Sequence, residues 1–214
     1  NVRDIFDRFE FDKTLNKLAD KNKLFAVVEK FAQADFHPNT VSNIQMGLVF
    51  EELIRWANER SNETAGDHYT PREVISLMVQ LLFATDDDAL SKPGVVRSIY
   101  DPTAGTGGML SVADERLRSM NPDIQLSLYG QDYNDASYAI CKADMVIKGQ
   151  DVDNIRLGDT LTEDHFEDKK FDYALSNPPF GVDWKDQRDF VDDEHKRLGY
   201  IGRFGPGTPA VSDG

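Results

Sequence analysis

The chain has one cysteine, Cys141, in 214 residues, so no internal disulfide can form and a reducing cytoplasm is the expected setting. No apolar run approaches the roughly 20 residues that a membrane-crossing helix needs, and no secretory pattern follows Asn1. A soluble cytoplasmic protein with no membrane partner is expected. His37, His68, His165 and His195 are scattered without ligand spacing, so no metal site is expected. Basic charge is also scarce, with 24 Lys/Arg against 38 Asp/Glu and a net charge of −14. The imbalance is local: −2 over residues 1–66, −10 over 67–180 and −2 over 181–214. A nucleic-acid binder normally carries a basic face. If this chain acts on DNA, another molecule must supply most phosphate contacts, although acidity also serves plain solubility.

Residues 1–62 read as helical. Leu15, Leu18, Leu24, Phe25, Val28 and Phe31 recur at helical intervals, as do Val41, Ile44, Leu48, Ile54 and Ala57, with a break at His37-Pro38-Asn39. A small helical subdomain is predicted, with Trp56 and its phenylalanines in the core. A polar loop over Ser61–Asp67 follows. The pattern then alternates: helix Val74–Phe83, strand Val95–Tyr100, helix Gly107–Met120, strand Leu126–Gly130, helix Asp135–Lys148, and strands Ile155–Leu157 and Phe171–Ser176. Cys141 falls on an apolar helix face and is expected in the core. Such alternation predicts an α/β fold with a parallel sheet and right-handed crossovers. From 181 to 214 the chain is charged and rich in Gly and Pro, without a clear period, and a mobile loop is expected there.

Asp101-Pro102-Thr103-Ala104-Gly105-Thr106-Gly107-Gly108-Met109-Leu110 follows a predicted strand and opens a helix. Glycines there let the backbone turn sharply and approach a ligand closely. A phosphate-binding P-loop would need Gly-Lys-Ser/Thr, which is absent, and a dinucleotide fingerprint would need a glycine where Leu110 stands. The pattern that remains is an S-adenosylmethionine loop, with the strand-end acid facing the amino-acid part of the cofactor. Asp132 ends the next strand, where a carboxylate can accept from both ribose hydroxyls, or simply be solvated. Asp159 follows the third strand, where it could take a proton of the cofactor's adenine amine; Gly-Asp is also a common turn. Thr70, Pro71 and Glu73 fit a capping box, with Thr70 as N-cap and Pro71 at the first helical position. The helix start they mark could hold a carboxylate.

Asn177-Pro178-Pro179-Phe180 after the fourth strand carries the most chemical information. The exocyclic amine of a base is a poor nucleophile because its lone pair is delocalised into the ring. Acceptors at the Asn177 amide oxygen and the Pro178 carbonyl could take its two protons and localise that pair. Two prolines stiffen the backbone, and Phe180 offers a ring for a flipped-out base. Asn-Pro alone would also suit a strand-ending turn. With sheet order 3-2-1-4, strand order reverses beside the first strand, so the glycine loop and the Asn-Pro-Pro-Phe step become neighbours at one crevice. Lys196, Arg197 and Arg203 in the following segment could steady a DNA backbone nearby.

Asp67-His68-Tyr69-Thr70-Pro71-Arg72, Asp101–Leu110, Asp132 and Asn177–Phe180, in that order behind a helical prefix, resemble the modification subunit of type I restriction-modification systems. The likeness extends to Gly202-Arg203-Phe204-Gly205 and Thr208-Pro209. It implies a class I S-adenosylmethionine-dependent methyltransferase fold, here the N-terminal half of the sheet. A helical subdomain (1–62), a cofactor-binding and catalytic α/β domain (67–180) and a post-catalytic loop (181–214) would make up this chain. Further strands and a helical region are expected after Gly214. It implies cofactor contacts at His68, Tyr69, Thr70, Pro71, Arg72, Asp101, Thr103, Ala104, Gly105, Thr106, Gly107, Gly108, Asp132 and Asp159, and catalysis at Asn177, Pro178, Pro179 and Phe180. Implied partners are DNA, a specificity subunit, a restriction subunit and a second copy of the chain. The family more often has Glu at the ribose position, so Asp132 is a departure. The expected activity is methyl transfer from S-adenosyl-L-methionine to N6 of adenine in DNA. Alternatives are a protein-glutamine or RNA N-methyltransferase, and a non-catalytic scaffold on the same fold.

Overall fold

The computed structural model describes residues 2–60, 70–179 and 182–208. Nine α-helices and four strands occur among them, in the order α1 (Val2–Arg8), α2 (Phe11–Asp20), α3 (Leu24–Ala32), α4 (Asn43–Arg60), α5 (Arg72–Phe83), α6 (Asp87–Leu90), β1 (Val96–Asp101), α7 (Gly108–Met120), β2 (Gln125–Asp132), α8 (Asp135–Ile147), β3 (Ile155–Leu157), β4 (Tyr173–Ala174) and α9 (Arg188–Leu198). The strands form one parallel sheet in the expected order, β3-β2-β1-β4. Val96 is opposite Gln125 and Asp101 opposite Gly130, while Gly130 is opposite Ile155 and Ile99 opposite Tyr173.

Period-two alternation divides the sheet between two environments. Ile99 and Leu128 are buried in the core that α5, α7 and α8 share, with Val79, Phe83, Leu110, Leu117 and Met145. Tyr100 and Tyr129 point the other way, into an aromatic cluster with Phe166 and Phe171; Tyr100 stacks on Phe171 at 4.6 Å between ring centroids. Burial pushes the Tyr100 hydroxyl up to about 12. Cys141 is fully buried, as its position on the apolar face of α8 predicted. β4 is shorter than the predicted Phe171–Ser176. Pro178 and Pro179 follow it closely and have no N–H to offer a ladder.

Three expectations are corrected. Trp56 and the early phenylalanines are not core: Phe25 is 79% exposed, Phe31 65%, Phe6 52% and Trp56 49%. A helical period marks an apolar face, but it cannot say that anything lies against it. No residue of α2 or α3 is buried. α1 and α4 instead pack on α8. Lys142 Nζ, buried on α8, donates to Asp4 Oδ2 of α1 at 3.0 Å, and the Tyr138 hydroxyl donates to the same oxygen at 2.9 Å.

The capping box does not form. Pro71, not Thr70, is the N-cap of α5, with no side-chain cap; its carbonyl accepts from Val74 N at 3.0 Å. The extended ψ of 137° at Pro71 starts the helix one residue late, and the Thr70 hydroxyl is engaged elsewhere.

Residues 188–198 form helix α9 where a loop was expected. Val191 is the one buried residue of that helix, so its sequence shows no apolar period. The predicted loop over Ser61–Asp67 lies outside the described residues.

Candidate functional site

A crevice of about 1110 Å³ opens at the carboxyl ends of the strands. Of the predicted residues, Thr70, Arg72, Asp101, Thr103, Ala104, Gly105, Thr106, Gly108, Asp132, Asp159, Asn177, Pro178 and Pro179 line it. Pro71 and Gly107 are not on the wall. Pro71 starts α5, and Gly107 sets the turn into α7 at a φ of 87°. A Cβ on Gly107 would stand 2.9 Å from Cys141 Sγ, so the glycine lets α8 close against the loop. His68, Tyr69 and Phe180 lie outside the described residues.

The glycine loop is held by the tips of two strands. Ala104 N donates to Gln131 O at 3.0 Å, and Gly105 N donates to Asp132 Oδ2 at 2.8 Å. Asn134 N donates to the other oxygen of Asp132 at 2.8 Å. Each carboxylate oxygen has a second lone pair, so Asp132 retains capacity toward a pair of hydroxyls. Asp101 is buried at the end of β1. Burial pushes its carboxyl up to about 7; the Thr103 N–H opposes the shift and the Asp132 charge adds to it. A buried acid with no ion pair among the described residues, set beside a glycine loop, suits a cationic ligand group.

The two motifs meet as the strand order requires. Thr103 Oγ1 and Ser176 Oγ are 2.9 Å apart, joining the loop after β1 to the end of β4. The next residue, Asn177, is exposed at the mouth of the crevice, and its Nδ2 donates to Thr70 Oγ1 at 2.8 Å. That bond ties the amide nitrogen to the start of α5 and leaves the amide oxygen to accept from another donor. Arg72 lines the wall and pairs with Glu115 Oε2 of α7 at 2.5 Å.

At the far edge, Asp159 accepts from Leu161 N at 2.9 Å through Oδ1 and from Gln187 Nε2 at 2.9 Å through Oδ2. Gln187 was not anticipated from the sequence, nor were Ser176, Trp184, Val191 and Phe204 as crevice residues. Phe204 belongs to the Gly-Arg-Phe-Gly stretch of the resemblance; no spacing or motif marks the others. Arg203 is withdrawn from the expected DNA-facing cations. It pairs with Glu194 at 2.6 Å and Asp164 at 3.2 Å, and it donates to the Thr160 carbonyl. Among the described residues, no group of His, Cys, Asp or Glu is arranged to hold a metal ion.

The donor set fits an adenosyl-amino-acid cofactor. A buried acid ends β1, an acid ends β2, and an acid and an amide close the β3 end. Among the described residues, the amide oxygen of Gln187, on the crevice wall, is buried without a hydrogen-bond partner. A ligand donor would complete it.

Known proteins are similar to this chain in sequence and in fold. A methylase subunit of a type I restriction enzyme (MjaIX) from Methanocaldococcus jannaschii is 32% identical over 182 residues, covering 84% of this chain and 31% of that protein. The crystal structure of a type I restriction-modification system methyltransferase subunit from Streptococcus thermophilus superposes with a TM-score of 0.68 at 27% identity, over 90% of this chain and 38% of that one. A Listeria monocytogenes structure assigned to the class I S-adenosylmethionine-dependent methyltransferases shares the fold, with a TM-score of 0.60 at 16% identity, over 82% of this chain and 51% of that one. The chain spans about a third of the length of the curated relatives it matches. Residues 42–204 match the N-6 DNA Methylase family, most of the chain and every described part of the crevice, and the chain belongs to that family.

Proposed function

We propose that this chain is the cofactor-binding and catalytic part of a site-specific DNA adenine-N6 methyltransferase subunit in a type I restriction-modification complex. The observation that carries this reading is the placement of Asn177. It projects beyond β4, beside the glycine loop that follows β1, with its amide nitrogen bound to Thr70.

When bound, S-adenosyl-L-methionine supplies a methyl group on a positively charged sulfur that leaves with the bonding electron pair. The positions of the described residues support the roles that follow, and those of His68, Tyr69 and Phe180 rest on the resemblance. Asp101 would hold the cofactor's ammonium, the start of α5 at Thr70–Arg72 its carboxylate, Asp132 its ribose hydroxyls and Asp159 its adenine amine. Tyr69 and His68 precede the same helix start and belong to the carboxylate end. The Asn177 amide oxygen and the Pro178 carbonyl would accept hydrogen bonds from the two N–H groups of the target amine. Those acceptors would turn the nitrogen lone pair toward the donor methyl, and the N–H proton lost on transfer would pass to water at the mouth of the crevice. Pro178 and Pro179 hold those acceptors rigid, and Phe180 stacks on the flipped adenine. Acceptors fixed before the base arrives need no reorganisation during the reaction.

The acidity of residues 67–180 requires partners. A specificity subunit reads the DNA sequence and supplies phosphate contacts, a restriction subunit joins the complex, and a second copy of this chain serves the other strand. The helical prefix 1–62 and the segment 181–214 flank the catalytic unit, and the complex works in the cytoplasm. Among the described residues no helix is long and apolar enough to cross a membrane. The test is radiolabelled methyl transfer to duplex DNA by the full-length subunit, with and without its specificity subunit. Label in N6-methyladenine only with both present supports the reading; label in protein or RNA instead sinks it.

A further inference from the structure

The segment after the Asn-Pro-Pro motif crosses to the opposite end of the crevice. Gln187 ends the 3-10 turn Lys185–Gln187, and its Nε2 donates to Asp159 Oδ2 at 2.9 Å, just past β3. A carboxylate only accepts, so the amide nitrogen must face Asp159 and the amide oxygen must face away from it. That oxygen is buried and has no hydrogen-bond partner among the described residues. Gln131, the other described residue with such an oxygen, does not line the crevice, whereas Gln187 does. An orphaned acceptor is costly and is rarely left so in a native structure.

Strand order says which ligand would complete it. β3 and β4 are the two outer strands of the sheet. At about 4.8 Å per strand, the tip of β3 lies about 14 Å across the sheet from the Asn177 end. Gln187 therefore stands at the adenine end of the cofactor and away from the acceptor base. Packing fixes it there. Val191 is buried, His195 Nδ1 lies 2.7 Å from Phe204 O, and Arg203 binds the Thr160 carbonyl beside Asp159.

We propose that Gln187 is a selectivity residue for the cofactor's adenine. Its Oε1 accepts one N–H of the exocyclic amine, while Asp159, whose oxygens each keep a lone pair, accepts the other. A purine with a carbonyl at that position would set oxygen against two acceptors and be rejected. This inference rests on the cofactor reading above and adds to it a discriminating wall supplied by the post-catalytic segment.

Calorimetry on the full-length subunit with S-adenosylhomocysteine and its 6-oxo counterpart, S-inosylhomocysteine, tests it. The wild type is expected to prefer the adenosyl form by about tenfold or more. Gln187→Met keeps the shape without a hydrogen-bonding end, and should narrow that preference by about tenfold. A merely structural role would weaken both ligands equally. An unchanged ratio therefore overturns the proposal, as does a wild type without preference. If the wild type binds neither ligand, the cofactor reading itself fails. Should Gln187→Met not fold, Gln187→Asn draws the amide back by one methylene and must narrow the ratio as well.

Discussion

Asn177 Nδ2 donates to Thr70 Oγ1 at 2.8 Å, linking the end of the sheet to the residue just before the N-cap of α5, 107 residues earlier in the chain. The bond decides which end of the amide faces the crevice. With the nitrogen engaged, the oxygen is presented, and an acceptor is what an amine nucleophile requires. Asn177→Ala should remove methyl transfer, by on the order of 10²–10³ in rate, while cofactor affinity measured by calorimetry stays within a few-fold. Activity within a factor of a few of the wild type would sink the assignment.

Thr70→Val keeps the shape of the side chain and removes the acceptor that orients Asn177. The rate at saturating cofactor should fall about fivefold, since one neutral hydrogen bond is worth roughly 1 kcal/mol. Thr70→Ser, which restores the hydroxyl, should recover most of it. Saturating the cofactor separates this orienting effect from any direct contact between Thr70 and the cofactor. If Thr70→Val runs at the wild-type rate there, the Asn177 amide is held by something else.

Asp132→Ala should act on binding rather than on chemistry. Loss of hydrogen bonds to a charged acceptor costs roughly 1.5–3 kcal/mol, about a tenfold or greater loss of cofactor affinity. The same carboxylate also holds Gly105 N and Asn134 N, so the glycine loop should loosen with it. Unchanged affinity would move the ribose contact to another residue.

The buried carboxyl of Asp101 gives cofactor binding a pH dependence. With its value pushed up to about 7, Asp101 is mostly protonated at pH 6, and a cationic ammonium prefers the ionised form. Cofactor affinity should therefore rise between pH 6 and 7, approaching tenfold per unit below the titration point. Asp101→Asn should bind more weakly and flatten that rise. For the unliganded chain the sign is opposite. The folded carboxyl keeps its proton up to about 7 and the unfolded one releases it near 3.8, so stability falls as pH rises through that window. Thermal melts across the window should lose this slope in Asp101→Asn; an unchanged slope would assign the titration to another group.

DNA binding by the subunit alone should be weak and without sequence preference. Residues 67–180 carry a balance of −10, and Arg203 is spent on Glu194 and Asp164. That leaves Lys196 and Arg197 in the last turn of α9, too few for a specific interface, which buries about 1,000–2,500 Å². Gel-shift titration of the full-length subunit at fixed salt checks this. Nanomolar, sequence-selective binding without a partner would point to a self-sufficient enzyme.

The sequence by itself determined the parallel sheet, its order and the positions of Asp101, Asp132, Asp159 and Asn177 at the strand tips. These features depend on local signals, namely period-two strands, a glycine turn and a proline stop, and on the handedness of crossovers, which leaves few topologies. Tertiary structure alone decided which apolar faces find a partner. α2 and α3 have the same helical period as α5, yet they bury nothing, because burial depends on what lies opposite. It alone decided that Thr70 serves Asn177 instead of capping α5, since a hydroxyl can satisfy either and only the fold brings the second donor within reach. The fold likewise brought Gln187 to Asp159. Its helix is anchored by the single buried Val191, too sparse a pattern to announce an element, and a contact across 28 residues leaves no periodic trace in the chain.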